Sequence, residues 1–399
     1  MKFITKIIYL LLILLPIVDF LYRWQEDTSS PALYLRAMTL LSFIFIAITN
    51  IRSIFTKNDL SIKLFWHFLF YILLISFCCY VGTNTLYALI RAVFAILGLL
   101  IFYYLTKNNI ITEKEVTFFF LLLIIILATT TYLNLDYRLN TQRELRTADN
   151  TGYALLCVYA AIMLLIHKRI FPIALFLVVI GTFISGKRGA IVGLVVSSLP
   201  LIRYFFTSKQ WKASKKIFFT VLILISVSIA IHVFGDYLSA SIGRFQMLEE
   251  DHGSGRDTIL KLYWQHFKES NLINQIFGHG VYAGIWSSGS KYAFYSKMAH
   301  NDWIEILYDF GIIGVLLYLS IFIRVFLILL RNRRNRTNYF YMLEMAFLIW
   351  FLTSIFSSTF LMNINSIYLF IILAYSIAKL EPNSSSTEST STLLQSNTP

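Results

Sequence analysis

Residues 297–319 read KMAHNDWIEILYDFGIIGVLLYL. The right half is an apolar run of the kind that crosses a bilayer as a helix. The left half places His300, Asn301, Asp302 and Glu305 where that helix should leave the membrane. The stretch predicts a membrane-embedded helical chain with a titratable cluster at the rim of one helix.

Composition agrees. The 399 residues are 57% hydrophobic and 14% charged, with a mean hydropathy of +0.68. A soluble domain is roughly 45–50% apolar and about 25% charged. The formal charge of +13 is not a nucleic-acid footprint, because the basic residues sit between apolar runs, where they act as an orientation signal. Cys78, Cys79 and Cys157 all fall inside apolar runs, so they are read as packing residues rather than a disulfide framework or a metal site. The N-terminus begins like a signal peptide, but no small-x-small cleavage site follows its apolar run, so it is read as an uncleaved first span.

The fold class expected is all-α and polytopic, with about twelve spans. They fall near 3–22, 34–51, 62–82, 86–106, 116–134, 151–167, 170–185, 189–206, 217–235, 303–330, 340–358 and 360–379. Residues 1–235 then hold spans one to nine and 236–302 a long outward loop. Residues 303–380 hold the last three spans, and 381–399 form a Ser/Thr-rich tail expected to be disordered. Arg52 and Lys57, Lys107 and Lys114, Lys168 and Arg169, Arg203, Lys209, Lys212, Lys215 and Lys216, and Arg331, Arg333, Arg334 and Arg336 mark the cytoplasmic loops. Both termini join them. Three outward segments break this pattern: a loop with Arg138, Arg143 and Arg146, the tight turn SGKRGA with Lys187 and Arg188, and the long loop with Arg256. Cations held on the wrong side point to an anion.

Arginine cannot be deprotonated, and its planar fork matches phosphate oxygens. Gly186 and Gly189 flank the Lys187–Arg188 pair, and Gly253 and Gly255 precede Arg256, leaving backbone donors open. Snorkelling to headgroups is the plainer reading of each. Arg91, inside span four, faces either a cavity or a structural partner on another span. His300 can take and return a proton near neutrality. Neither Asp302 nor Glu305 shares its helical face, so either can orient the imidazole only if the backbone bends at the helix start. Asn301 or Asp302 could instead cap the helix. His279, in a GHG that reads as a tight turn, is a second candidate. Ile259, Leu262, Tyr263 and Phe267 give GRDTILKLYWQHFKES an amphipathic helical spacing, for a helix on the membrane surface or against the bundle. No H-x-x-x-H pair, P-loop or G-x-G-x-x-G occurs, so no metal and no cofactor are expected.

Three stretches now stand in order: SGKRGAIVGL, GSGRD…INQIFGHG and AHNDWIEILYDFGIIGVLLYL. Together, from Gly181 to Leu319, they resemble the O-antigen ligase/polymerase family of bacterial envelope proteins. The resemblance implies a GT-C-like, metal-independent membrane glycosyltransferase whose donor is an undecaprenyl-pyrophosphate-linked glycan. It implies that Arg188 and Arg256, with Lys187, clamp the pyrophosphate and that His300 is the general base. Asn301, Asp302, Glu305, Arg91 and His279 would be supporting residues. It also implies an inner-membrane protein with a periplasmic active site, in contact with membrane lipid and with a chain-length regulator as a partner. The wording of the motifs is closer to the polymerases. A ligase, transferring the finished chain to lipid A–core or to protein, is the alternative. A flippase for the same lipid-linked glycans is the rival from another class, but transporters gather polar groups near the bilayer midplane, whereas here they gather at one face.

Overall fold

The computed structural model describes residues 1–21, 31–50, 60–79, 83–141, 151–207, 221, 256–283, 299–357 and 365–381. Among the described residues the regular elements are all helical. They are α1 (Lys2–Leu21), α2 (Pro31–Thr49), α3 (Leu60–Cys78), α4 (Thr83–Lys107), α5 (Glu113–Thr141) and α6 (Thr151–Tyr159, running into a 3₁₀ turn, Ala160–Leu164). There follow α7 (Phe171–Ile184), α8 (Arg188–Thr207), α9 (Arg256–Glu269), α10 (Leu272–Phe277), α11 (Asp302–Asn332), α12 (Asn338–Phe356) and α13 (Ser366–Leu380).

Seven of the described helices are long and apolar enough to cross a membrane: α1, α2, most of α4 and of α5, α8, α11 and α12. The chain is a multi-pass membrane protein. Four further expected spans fall on shorter apolar helices: Lys63–Cys78, Thr151–Leu164, Phe171–Ile184 and Ser366–Leu380. Apart from Val221 and Glu381, the expected span at 217–235, the 381–399 tail and the 138–146 loop beyond Thr141 lie outside the described residues.

The shortfall in length has a physical basis. Thr151–Leu164 would rise only about 21 Å as a helix, well under the roughly 30 Å of a hydrocarbon core. Every residue from Thr151 to Ile166 is buried. Its 3₁₀ ending is therefore shielded by protein, the condition under which irregular backbone is tolerated at membrane depth. α13 is likewise buried throughout Ser366–Ala378; it packs against α4, α6 and α12, and the Tyr368 hydroxyl donates to the Leu12 carbonyl at 2.9 Å. Between α1 and α2, Arg36 and Asp19 form a buried ion pair at 2.7 Å. Each charge there is tolerable only because the other is present.

α11 positions the site. Its backbone leaves the helical region at Gly311 (φ 64, ψ −168), so the first nine residues form an arm set off from the rest. A break of this kind frees carbonyls that must find donors. The Tyr308 carbonyl accepts from His279 N at 3.2 Å and the Asp309 carbonyl from Gly280 N at 2.9 Å. The Phe310 carbonyl accepts from the Tyr71 hydroxyl at 2.9 Å. The approach is close: a Cβ on Gly311 would collide with the Ile276 carbonyl, and one on Gly278 with the Asp309 carbonyl. Glycine also supplies the positive φ at Gly278 and Gly280 (92° and 99°), so the tight turn expected at GHG is present.

α9 packs on this arm. Ile259, Tyr263 and Phe267, spaced four apart, bury against Ala299 and Tyr308. Trp264, on the other face, is exposed. The amphipathic helix expected here therefore packs against the bundle.

Candidate functional site

His300 sits just before α11 with φ 54, a left-handed conformation that costs a non-glycine residue on the order of 1 kcal/mol or more. Two neighbours hold it. Its backbone N–H donates to Glu305 Oε1 at 3.1 Å. Asn301 is the helix cap: its side-chain oxygen accepts from Ile304 N at 3.1 Å, and its Nδ2 donates to the Ile355 carbonyl at 3.1 Å. The backbone bends at the helix start, and Glu305 engages the His300 backbone rather than its ring. Among the described residues the imidazole has no hydrogen-bond partner.

Carboxylates line the inner face of the arm. Asp302, Glu305 and Asp309 are all essentially buried (0%, 1% and 2% exposed), and their spacing puts them on one side of the helix. The Tyr318 hydroxyl, itself accepting from Trp350 Nε1 at 3.0 Å, lies 3.4 Å from Asp302 Oδ2. Asp309 accepts from Tyr282 N at 2.8 Å.

Two cations act on His300 from other elements. Arg256 opens α9, and its Nη1 donates to the Phe356 carbonyl at the end of α12, at 2.7 Å. Lys187 belongs to the turn between α7 and α8. Burial, then the charge of Arg256, then that of Lys187, push the His300 pKa down to about 4. Residues far apart in sequence, 187, 256 and 300, therefore share one electrostatic site. Arg188 follows Lys187 directly as the first residue of α8. The arrangement can hold an anion beside a neutral, unengaged imidazole.

The other expected residues have contacts of their own. His279 is bound at both ring nitrogens, to the Tyr308 carbonyl at 3.0 Å and to Ser270 Oγ at 3.0 Å, and its ring stacks on Tyr308 at 4.3 Å. Burial, the largest cause, holds its pKa below the usual histidine value. These contacts brace the bend at Gly311. Arg91 is buried in α4, roughly 12 Å along from the helix start. Among the described residues no group of three His, Cys, Asp or Glu side chains is gathered as for a metal. A cavity of about 540 Å³ of mixed lining, including His167, Tyr204 and Arg336, opens at the far ends of α8, α11 and α12, a full helix length from His300.

Tyr153 was not foreseen. Its hydroxyl lies against Gly189, where a Cβ would collide with it, and its side chain lies beside Ser357 and within reach of the Arg256 charge. No pattern in a single sequence marks a lone tyrosine in an apolar run.

Residues 173–319 match the family model described as O-Antigen ligase. The matched segment runs from α7 into α11, so it contains Lys187, Arg188, Arg256 and His300. No curated protein matches the chain. Over that segment, a little more than a third of its length, the protein matches the O-antigen ligase/polymerase family, and the match does not separate polymerase from ligase.

Proposed function

We propose that the protein is an O-antigen (surface polysaccharide) polymerase. It joins undecaprenyl-pyrophosphate-linked repeat units by inverting, metal-independent glycosyl transfer at the periplasmic face of the inner membrane. One observation carries the reading: Arg256 and Asn301, the neighbour of His300, donate to the adjacent carbonyls of Phe356 and Ile355, and the charges of Arg256 and Lys187 both act on His300.

In this reading His300 removes the proton from the acceptor sugar hydroxyl as its oxygen attacks the anomeric carbon of the donor. The bond from that carbon to the pyrophosphate oxygen breaks, and the electron pair leaves with the pyrophosphate. Arg256, Lys187 and Arg188 stabilise the charge growing there, and the imidazolium returns its proton to water. Attack opposite the leaving group inverts the anomeric carbon. Glu305 and Asn301 hold the backbone that aims the imidazole; Asp302 is buried beside the Tyr318 hydroxyl. The far end of the bundle carries Lys107, Lys114, Lys168, Arg169 and the 331–336 arginines. Their excess supports a cytoplasmic far end, with both termini on that side.

A ligase is the second reading, favoured by the description of the matching family. A lipopolysaccharide gel from a strain lacking the gene separates the two. Core bearing a single repeat is the expected result and means that ligation proceeds without extension. Bare core with long lipid-linked chains accumulating would overturn the polymerase assignment in favour of the ligase. A normal ladder would remove both.

A further inference from the structure

We propose that Tyr153 is a positioning residue: its side chain is the strut that sets the separation between the Lys187–Arg188 turn and Arg256. The inference rests on the reading of those cations as an anion site and adds what holds them at a fixed distance.

Arg188 and Arg256 stand far apart in the sequence, and contacts through space register one against the other. Tyr153 touches both sides. It is the third residue of α6 and only 6% exposed. Its hydroxyl rests on the backbone of Gly189, where an added Cβ would displace it. The preceding residue, Gly152, lies against Ser185, where a Cβ would collide with the hydroxyl. Ser185 Oγ in turn donates to the Thr182 carbonyl at 2.7 Å and lies 3.4 Å from Lys187 N. Two consecutive residues of α6 thus bracket the 185–189 turn at both ends.

On its other side the tyrosine hydroxyl meets Ser357. Ser357 follows Phe356, whose carbonyl accepts from Arg256. The path from the lysine turn to the arginine therefore runs Gly189, Tyr153, Ser357, Phe356, Arg256, with one side chain crossing the gap. A tyrosine suits the task. Its ring has two side-chain torsions, and its hydroxyl needs a partner when buried. The same hydroxyl reaches the Gly189 backbone and the Ser357 side of the gap.

The test uses the full chain in lipid nanodiscs, comparing Tyr153→Phe with wild type. Two readouts are taken: affinity for inorganic pyrophosphate by calorimetry, and titration of the His300 ring by NMR of histidine-labelled protein, assigned with His300→Ala. Loss of the anchor should let Arg256 draw away. Pyrophosphate affinity should then fall by about five- to tenfold, and the His300 midpoint should rise from about 4 toward the ordinary value near 6.5. Unchanged affinity and an unchanged midpoint in folded Tyr153→Phe would overturn the strut, even if the melting temperature drops. Arg256→Ala separates this failure from that of the anion site. If Arg256→Ala leaves pyrophosphate binding intact, the anion reading fails, and the His300 midpoint in Tyr153→Phe still decides for or against the strut. Gly189→Ala, which pushes on the tyrosine hydroxyl from the other side, should move both readouts in the same direction.

Discussion

Replacing His300 with alanine is expected to lower glycan transfer by about 10²–10⁴-fold, the usual contribution of a general base, while the protein still inserts in the membrane. His300→Asn is the sharper variant. Asparagine tolerates the left-handed backbone that His300 adopts, so the helix entrance is preserved and only the base is lost. Equal losses in both variants, measured on lipid-linked repeat units, would tie the defect to the imidazole. Full transfer by either would sink the assignment.

The pH profile adds a second signature. In the free protein, burial and the charges of Arg256 and Lys187 push His300 down to about 4. The sign follows: the ring is neutral, and able to accept a proton, at all pH values above that point. A bound pyrophosphate would offset the two cations and remove their repulsion of the imidazolium. The His300 pKa in the complex should therefore be higher than in the free protein. The acid limb of kcat, which reports the complex, should lie at higher pH than that of kcat/KM, which reports the free enzyme. Coincident acid limbs would mean that the anion does not sit between these groups.

Gly311→Val is expected to be the most damaging single change outside the cationic cluster. A β-branched residue at φ 64 is strained, and its Cβ meets the Ile276 carbonyl and Gly278 N, both backbone atoms that cannot rotate aside. Strain and overpacking together amount to roughly 3–5 kcal/mol, comparable to the whole stability of a modest domain. Yield of folded protein after detergent extraction should collapse. If folded protein is recovered with normal transfer, the contact between the GHG turn and the α11 bend does not position the site as described.

Much of this was legible in the sequence, because hydropathy and helical spacing are local signals. Ile259, Tyr263 and Phe267 announced the buried face of α9. Gly278 and Gly280 announced a turn. Lys187 and Arg256 stood out as cations on the outward side, against the orientation pattern, and His300 as a titratable ring at a helix entrance. What was illegible is nonlocal. GIIG at 311–314 reads as one more apolar turn, and only the carbonyl donors supplied by Tyr71, His279 and Gly280 reveal a break there. His279 offered itself as a second titratable candidate, yet both its nitrogens are taken by a brace. Glu305 stands five residues from His300 and reaches its backbone only because that residue turns left-handed. Asp19 and Arg36 sat unremarked within separate spans, since a sequence does not show which helices are neighbours. The length of the 151–167 span was overread for a related reason: a fully buried helix and a lipid-crossing one are equally apolar.

The bend at Gly311 also divides α11 by length. All 31 residues would rise about 46 Å, far more than the bilayer interior, whereas the 21 residues after Gly311 rise about 31 Å and match it. An unbroken helix of that length would have to tilt to hide its surplus, and its tilt would change with acyl-chain length. With the surplus folded off as a separate arm, the height of His300 above the lipid is set by contacts within the protein. Transfer should therefore vary little between vesicles of short and long acyl chains, and a steep dependence would mean that the arm follows the membrane instead.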